Sequence, residues 1–422
     1  MSRESQTALP GTPDRPELPG KLPDHLRAEL IAFRRDLHMH PELGHQEFRT
    51  TAAIKARLEK AGLRPRVLKS GTGLICDVGT WDGVRPMLAL RADIDALPIP
   101  DAKTHVAYRS TFPDRAHACG HDVHTAVVLG AGLVLAELDR QGLLPRPVRL
   151  LFQPAEEVLP GGASDAIESG VLDGVGKIIA VHCDPRVDAG RIGLRPGPIT
   201  SACDRLEVSL SGAGGHTARP HLTTDLVTAA ARVAVDVPAL LTRRMDARSG
   251  MSVTWGRIEA GHACNVIPMH AELSGTVRCL DLGAWHEAPD MIHAAIDEVA
   301  TMHGAKFEIN HVRGVPPVVN DPAVTELLRE AMAVRRGADA VEDTEQSLGG
   351  EDFSWYLEHV PGAMARLGTR KPGDTTKRDL HRGDFDVDES AIGVGVEFFT
   401  AAVLLDGLRA GASAGATAGA NR

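Results

Sequence analysis

The change of rhythm in the middle of the chain limits its fold more than any other feature. From about Ser201 to Arg313 it reads strand (Arg205–Leu210), helix (Thr224–Leu241), strand (Met251–Ile258), strand (His270–Arg278), helix (Trp285–Met302), strand (Lys306–Val312). That β-α-β-β-α-β order is the split pattern of a ferredoxin-like unit, one four-stranded sheet backed by two helices. On either side the rhythm differs. Short apolar runs at Leu74–Val78, Met87–Arg91, Val148–Phe152, Ile178–Val181 and Ala363–Leu367 alternate with helix-period stretches such as Leu26–His38 and Thr125–Leu138. Buried strands alternating with helices predict an α/β domain whose largely parallel sheet is flanked by helices. The expected organisation is a discontinuous main domain (24–200 and 314–406) with an inserted ferredoxin-like α+β domain (201–313). A length of 422 residues suits two domains, each with its own core. Residues 1–23 and 407–422 are low in complexity and are expected to be disordered tails.

Composition narrows the function classes. A formal net charge of −10 and the lack of a Lys/Arg cluster argue against a nucleic-acid partner. With aromatics at 4%, platforms for stacking bases are also unexpected. No unbroken apolar run reaches the roughly 18–20 residues of a membrane span, so no membrane partner is expected. The Pro-rich stretch Leu9–Pro23 lacks the pattern of a secretory signal. The six cysteines show no repeated short spacing, which favours reduced thiols and a cytoplasmic location.

The chemistry-bearing residues fall in clusters. Ala116–Ala126 reads A-H-A-C-G-H-D-V-H-T-A, with Gly120 able to turn the backbone so that Cys119 and His121 converge. A thiolate and an imidazole suit Zn²⁺ and tolerate Mn²⁺, Co²⁺ or Ni²⁺; the plain alternative is a core cysteine beside capping histidines. Glu156 and Glu157 follow the apolar strand Leu150–Phe152 directly. In an extended segment adjacent side chains point apart, leaving one carboxylate for metal and the other as a general base. His182 ends the Ile178–Val181 run, so it would project toward the rim where open α/β sheets bind ligands. His381 precedes an acidic stretch. His216 and Arg219 lie in the glycine-rich G-A-G-G-H-T-A-R-P-H, Asn265 opens N-V-I-P, and Glu351 and Asp352 sit at a helix start where capping alone would account for them.

Taken in order, H-M-H-P-E-L-G (38–44), R-A-D-I-D-A-L-P-I (91–99), H-A-C-G-H-D-V-H-T-A, Q-P-A-E-E, V-H-C-D-P, G-G-H-T-A-R-P-H, N-V-I-P, G-G-E-D-F-S and H-R-G-D-F-D-V-D-E resemble one family. It is the hippurate hydrolase and indole-acetyl-amino-acid hydrolase branch of the aminoacylase/carboxypeptidase family of dinuclear metallohydrolases. The resemblance runs from about Leu26 to Leu405. It implies two divalent cations, Mn or Zn before Ni or Co, held by Cys119, His121, Glu157, His182 and His381, with Glu156 as general base. It implies a lid that mediates homodimers, with lid residues His216 (catalytic) and Asn265 holding the substrate carboxylate or the developing oxyanion; Arg219 is assigned to substrate beside them. Glu351 is assigned to substrate and Asp93 and Asp95, within R-A-D-I-D, to support of the site. One departure is Arg382-Gly383, where many relatives carry a small residue and proline; it bears on substrate preference.

The function expected is hydrolysis of the amide bond of N-acyl amino acids (acetyl, benzoyl or indole-acetyl) by water made acidic by the two cations. A dipeptidase or carboxypeptidase using the same site is the alternative within enzymes. A closed structural zinc would need no spare glutamate, and a cysteine hydrolase would use Cys119 as nucleophile.

Overall fold

The computed structural model describes residues 22–159, 161–376 and 378–419, with side chains described as far as residue 410. Eight strands form the main sheet in the order Arg66–Val67, Leu74–Val78, Val148–Gln153, Met87–Asp93, Val175–Asp188, Gly362–Arg370, Ile192–Leu194, Val341–Asp343. The four central strands are mutually parallel, as the alternation of strand and helix requires. The flanks are not. Leu74–Val78 pairs antiparallel with both its neighbours, and Ile192–Leu194 runs antiparallel to Gly362–Arg370. The sheet is therefore mixed, where a largely parallel one was expected. Tight returns, such as the one between Asp188 and Ile192, reverse the chain without a crossover, and apolar runs alone do not report strand direction.

Strand residues alternate between two cores. Leu88, Leu90, Val181 and Leu367 pack with Leu30, Val127, Leu328 and Phe398 from the long helices Asp24–Met39, His121–Arg140, Pro322–Arg336 and Ser390–Gly419. Ala89, Leu151, Ile178 and Met364 face the other way, toward Ala163, Phe353 and Tyr356. On that second face the ladder turns polar. Arg91, Asp93 and Gln153 at or near the C-terminal ends of their strands, and His182 and Arg366 within theirs, occupy the next positions of the same parity, all buried. His182 does not end its strand as expected, since the strand runs on to Asp188. A site is thereby built on the rim.

The inserted unit matches its expected element order. Strands Ala202–Ser211, Ser252–Ala260, His270–Cys279 and Lys306–Val315 form an antiparallel sheet in which the first and third are central, backed by helices Leu226–Arg244 and Leu282–Met302. It has its own apolar core, including Leu206, Val233, Leu273 and Ile296.

The tails differ from expectation where they are described. Residues 1–21 and 420–422 lie outside the described residues. Leu22, however, is buried and its N–H donates to Glu397 at 3.0 Å. The last helix continues to Gly419 rather than ending near 406. Alanine at alternate positions from Ala410, the strongest helix former, sustains the backbone ladder that low complexity concealed. Among the described residues two helices, His121–Arg140 and Ser390–Ala410, have the length and hydropathy of a membrane span, yet 83% and 89% of those windows are buried inside the fold. Both are core helices.

One buried ion pair joins the first helix to the helix that opens the site. Arg34 Nε lies 2.7 Å from Asp122 Oδ2, both fully buried, and His38 Nδ1 lies 2.7 Å from the same oxygen. Burial alone would raise the Asp122 carboxyl, but Arg34 and His38 hold it below the usual carboxylate range. Asp122→Ala leaves a guanidinium buried beside a hole, and should lower the unfolding free energy by about 3–5 kcal/mol. Denaturant unfolding of the two proteins measures it.

Candidate active site

The helix His121–Arg140 begins with a turn that only glycine makes comfortably. Gly120 has φ 88°, and a Cβ there would sit 2.6 Å from Cys183 Sγ. This turn sets Cys119 just before the helix and His121 in its first turn. Their partners come from the strand Val175–Asp188, the bend after Val148–Gln153 and the loop at His381. Cys119 Sγ is 3.5 Å from His182 Nε2, and His381 Nε2 is 3.2 Å from Glu157 Oε1. His121 Nε2 lies 3.9 Å from Glu156 and 3.8 Å from Glu157. Ligand-type atoms of Cys119, His121 and His182 lie within 4.8 Å of one another, as do those of Cys119, Glu157 and His381, and of His121, Glu156 and Glu157. The five residues expected to hold metal, and Glu156, are thus brought together from four separate segments.

The two glutamates do not diverge as an extended segment would have them. Residues 156–159 form a bend after Ala155, whose φ is 56° and whose N–H donates to Glu47 at 2.7 Å. Both carboxylates consequently face His121.

Hydrogen bonds assign the imidazoles. His121 Nδ1 faces the Asp95 carbonyl at 3.0 Å, which can only accept, so this nitrogen carries a proton and Nε2 is left buried without a hydrogen-bond partner. Asp95 also accepts from the Glu157 N–H at 2.9 Å, holding ligand and loop together. His182 Nδ1 donates to the Cys183 carbonyl at 2.9 Å, turning Nε2 to Cys119. Burial, and after it the Arg366 charge, keep His182 well below the usual histidine range and so neutral. His124 has a different fate: Nδ1 bonds Asp93 at 2.6 Å and Nε2 accepts from the Cys183 N–H at 2.8 Å. Its nitrogens are committed, which makes it a strut.

The donor chemistry fits divalent cations. Burial opposes a proton on His121, but Asp93 and then Asp95 outweigh it and push His121 up to about 10. A cation at Nε2 would take that proton's place. Glu156, Glu351 and Asp352 also crowd within 4.8 Å of one another.

A residue whose role the sequence reading missed holds this crowd. Arg91, fully buried, reaches Asp93 at 2.7 Å, Asp352 at 2.9 Å, Glu351 at 3.1 Å and Gln153 at 2.9 Å. A charged residue inside a buried strand was the available signal. Glu351 Oε1 pairs with Arg91 and accepts from the Phe353 N–H at 3.0 Å. Asp93 bonds Arg91 and His124, and Asp95 bonds His121 and the Glu157 N–H. The lid residues lie elsewhere: His216 and Asn265 are exposed at a small two-stranded antiparallel sheet that pairs Gly215–His216 with the sequence-distant Val266–Ile267, and Arg219 is exposed beside it. No hydrogen bond or ion pair joins the three to the cluster among the described residues.

Burial first, with Glu351 adding to it against Arg91, pushes Asp352 up to about 8. A carboxyl whose folded pKa exceeds its unfolded value near 3.8 binds more protons in the native state. Its contribution to stability is therefore lost as pH rises from about 4 through 8. In metal-free protein Asp352→Asn should flatten that decline, as read by thermal unfolding between pH 5 and 9; an unchanged slope would refute the shared-charge account.

A family model described as peptidase family M20/M25/M40 matches residues 89–405. An N-acetyl-L-cysteine deacetylase of Bacillus subtilis is 40% identical over 368 residues, 87% of this chain and 85% of that protein. A Rhodococcus jostii protein designated a glutamate–cysteine ligase is 46% identical over 90% of this chain, which spans only 47% of its length. A crystal structure of the Bacillus subtilis YXEP protein, described as a dinuclear metal-binding peptidase of the M20 family, superposes with a TM-score of 0.78 at 33% identity, covering 91% of this chain and 99% of that one. With these matches spanning both the metal-type cluster and the inserted unit, the chain belongs to the M20/M25/M40 peptidase family and is a metal-dependent hydrolase of amide bonds.

Proposed function

We propose that this protein cleaves the amide bond of N-acyl amino acids, with Glu156 as general base and two divalent cations held by Cys119, His121, Glu157, His182 and His381. One observation carries the reading: Glu156 lies within 4.8 Å of donor atoms of His121 and Glu157 but makes no hydrogen bond among the described residues, and its side chain keeps 10% exposure. A structural carboxylate would be satisfied. Burial, then Glu351 and Glu157, raise its proton affinity well above the usual range, which suits taking a proton from water and passing it on. Divalent cations in this site supply a lowered water pKa and polarise the scissile carbonyl. The chain itself fixes the ligand tautomers through Asp95 and the Cys183 carbonyl, and keeps Glu156 facing His121 through the bend at Ala155. Cys119 is a poor nucleophile: it is 5% exposed, and burial and Glu157 push its thiol up.

The deacetylase name of the Bacillus relative supports an N-acyl substrate, and the chain's motifs favour the hippurate and indole-acetyl branch. The ligase designation of the Rhodococcus protein carries no weight here, since more than half of that chain lies outside the match. His216 is proposed to stabilise the reacting carbonyl and Asn265 and Arg219 to contact substrate. Because no hydrogen bond or ion pair joins these three residues to the cluster among the described residues, these roles require lid closure or a second copy of the chain.

Glu156→Gln should retain both cations by elemental analysis and lower kcat by about 10²–10⁴-fold. Glu157→Ala should lose metal, and His216→Ala should lower kcat with metal content intact. Near-wild-type turnover by Glu156→Gln would remove its assignment. The decisive assay follows amino-acid release from N-acetyl, benzoyl and indole-acetyl amino acids and from dipeptides, before and after chelation and on restoring Mn²⁺ or Zn²⁺. Metal-dependent release from N-acyl substrates supports the proposal. Release from dipeptides alone favours the peptidase alternative.

A further inference from the structure

Arg366 stands beside the metal-type cluster with no hydrogen-bond partner for its Nε or Nη2 among the described residues. It lies in the strand Gly362–Arg370 in register with His182 on the neighbouring parallel strand, so the two side chains project from the same face. Across its other edge the register partner is Gly193, which adds no side chain of its own beside the guanidinium. Arg366 is 5% exposed, and its Nε and Nη2 are buried without a hydrogen-bond partner. The acidic groups whose charge reaches it are engaged elsewhere: Asp184 with Arg186 at 2.8 Å, and Glu351 with Arg91 at 3.1 Å. Cys119 and His182, its other near neighbours, belong to the metal-type cluster.

A guanidinium does not shed its charge on burial, so its N–H groups require an acceptor. Divalent cations held in the adjacent cluster would add to the positive field there. An anion that enters with the substrate would satisfy both. We propose that Arg366 is a specificity-determining residue that binds a carboxylate of the substrate through its Nε and Nη2 edge. The bidentate geometry selects a planar carboxylate over a neutral amide. This deepens the N-acyl amino acid reading and rests on it for the substrate class. The carboxylate is either the α-carboxylate of the amino acid or one carried by the acyl group.

The test uses metal-loaded protein carrying Glu156→Gln, so that ligands bind without turnover, with Arg366 intact or replaced as Arg366→Met or Arg366→Lys. Calorimetry measures affinity for three probes: N-acetyl-L-methionine, its α-carboxamide, and N-succinyl-L-methioninamide, whose only carboxylate is on the acyl side. Arg366→Met should weaken a carboxylate probe about 100-fold and leave the neutral amide unchanged. Arg366→Lys should recover part of the loss, because it restores charge without the fork. Loss confined to N-acetyl-L-methionine assigns the α-carboxylate; loss confined to the succinyl probe assigns the acyl side. Equal weakening of charged and neutral probes overturns the proposal, as does failure of the Arg366 protein to bind either carboxylate. If these probes bind as expected while the Glu156 enzyme releases no amino acid from any N-acyl substrate, the proposed reaction fails and the carboxylate site stands.

Discussion

The buried guanidinium of Arg91 is the interaction on which the site depends. Four side chains from three segments converge on it: Asp93 at the end of its own strand, Gln153 at the end of the next, and Glu351 and Asp352 from the loop that precedes a short helix. Removing such a group from water is costly unless every donor is met and the charge is compensated. Here the compensation is excessive, since Glu156 joins the same carboxylate crowd. The surplus negative charge is what a pair of divalent cations would neutralise. Stability of the rim and capacity for metal are two aspects of one charge balance.

Neighbouring histidines acquire different functions through their hydrogen bonds. His121 and His124 are separated by less than one helical turn and are both fully buried. The Asp95 carbonyl fixes the proton of one on Nδ1 and leaves Nε2 facing the cluster, whereas Asp93 and the Cys183 amide occupy both nitrogens of the other. Orienting partners of this kind usually accompany metal-binding imidazoles. The inserted unit has a separate core, with Trp285 packed against Trp355 at its junction with the main domain, and the two-stranded sheet that carries His216 belongs to neither core cluster of the main domain.

Much of the fold was legible because hydrophobic periodicity reports burial directly. The six elements of the inserted unit and the central parallel strands follow from it. Strand direction at the sheet edges did not, since an apolar run reads the same both ways, and the helix beyond Leu405 was hidden by an Ala/Gly composition that also suits a linker. Of the site, the residues expected as ligands were visible as dense or oddly placed Cys, His and Glu. Their division of labour was not: the bend at Ala155 that turns both glutamates inward needs the Glu47 side chain from more than a hundred residues away.

The sequence by itself determined which segments are buried, where the chain is interrupted by a second α+β unit, and which residue types are available for metal chemistry, because periodicity and local composition act over a few residues. The tertiary structure alone decided which of those residues share a charge. Arg91 is satisfied and Arg366 is not, although both are arginines in buried strands on the same face of one sheet. That difference depends on which distant carboxylates reach each guanidinium, and electrostatic partnership inside a protein is a property of three-dimensional proximity and desolvation.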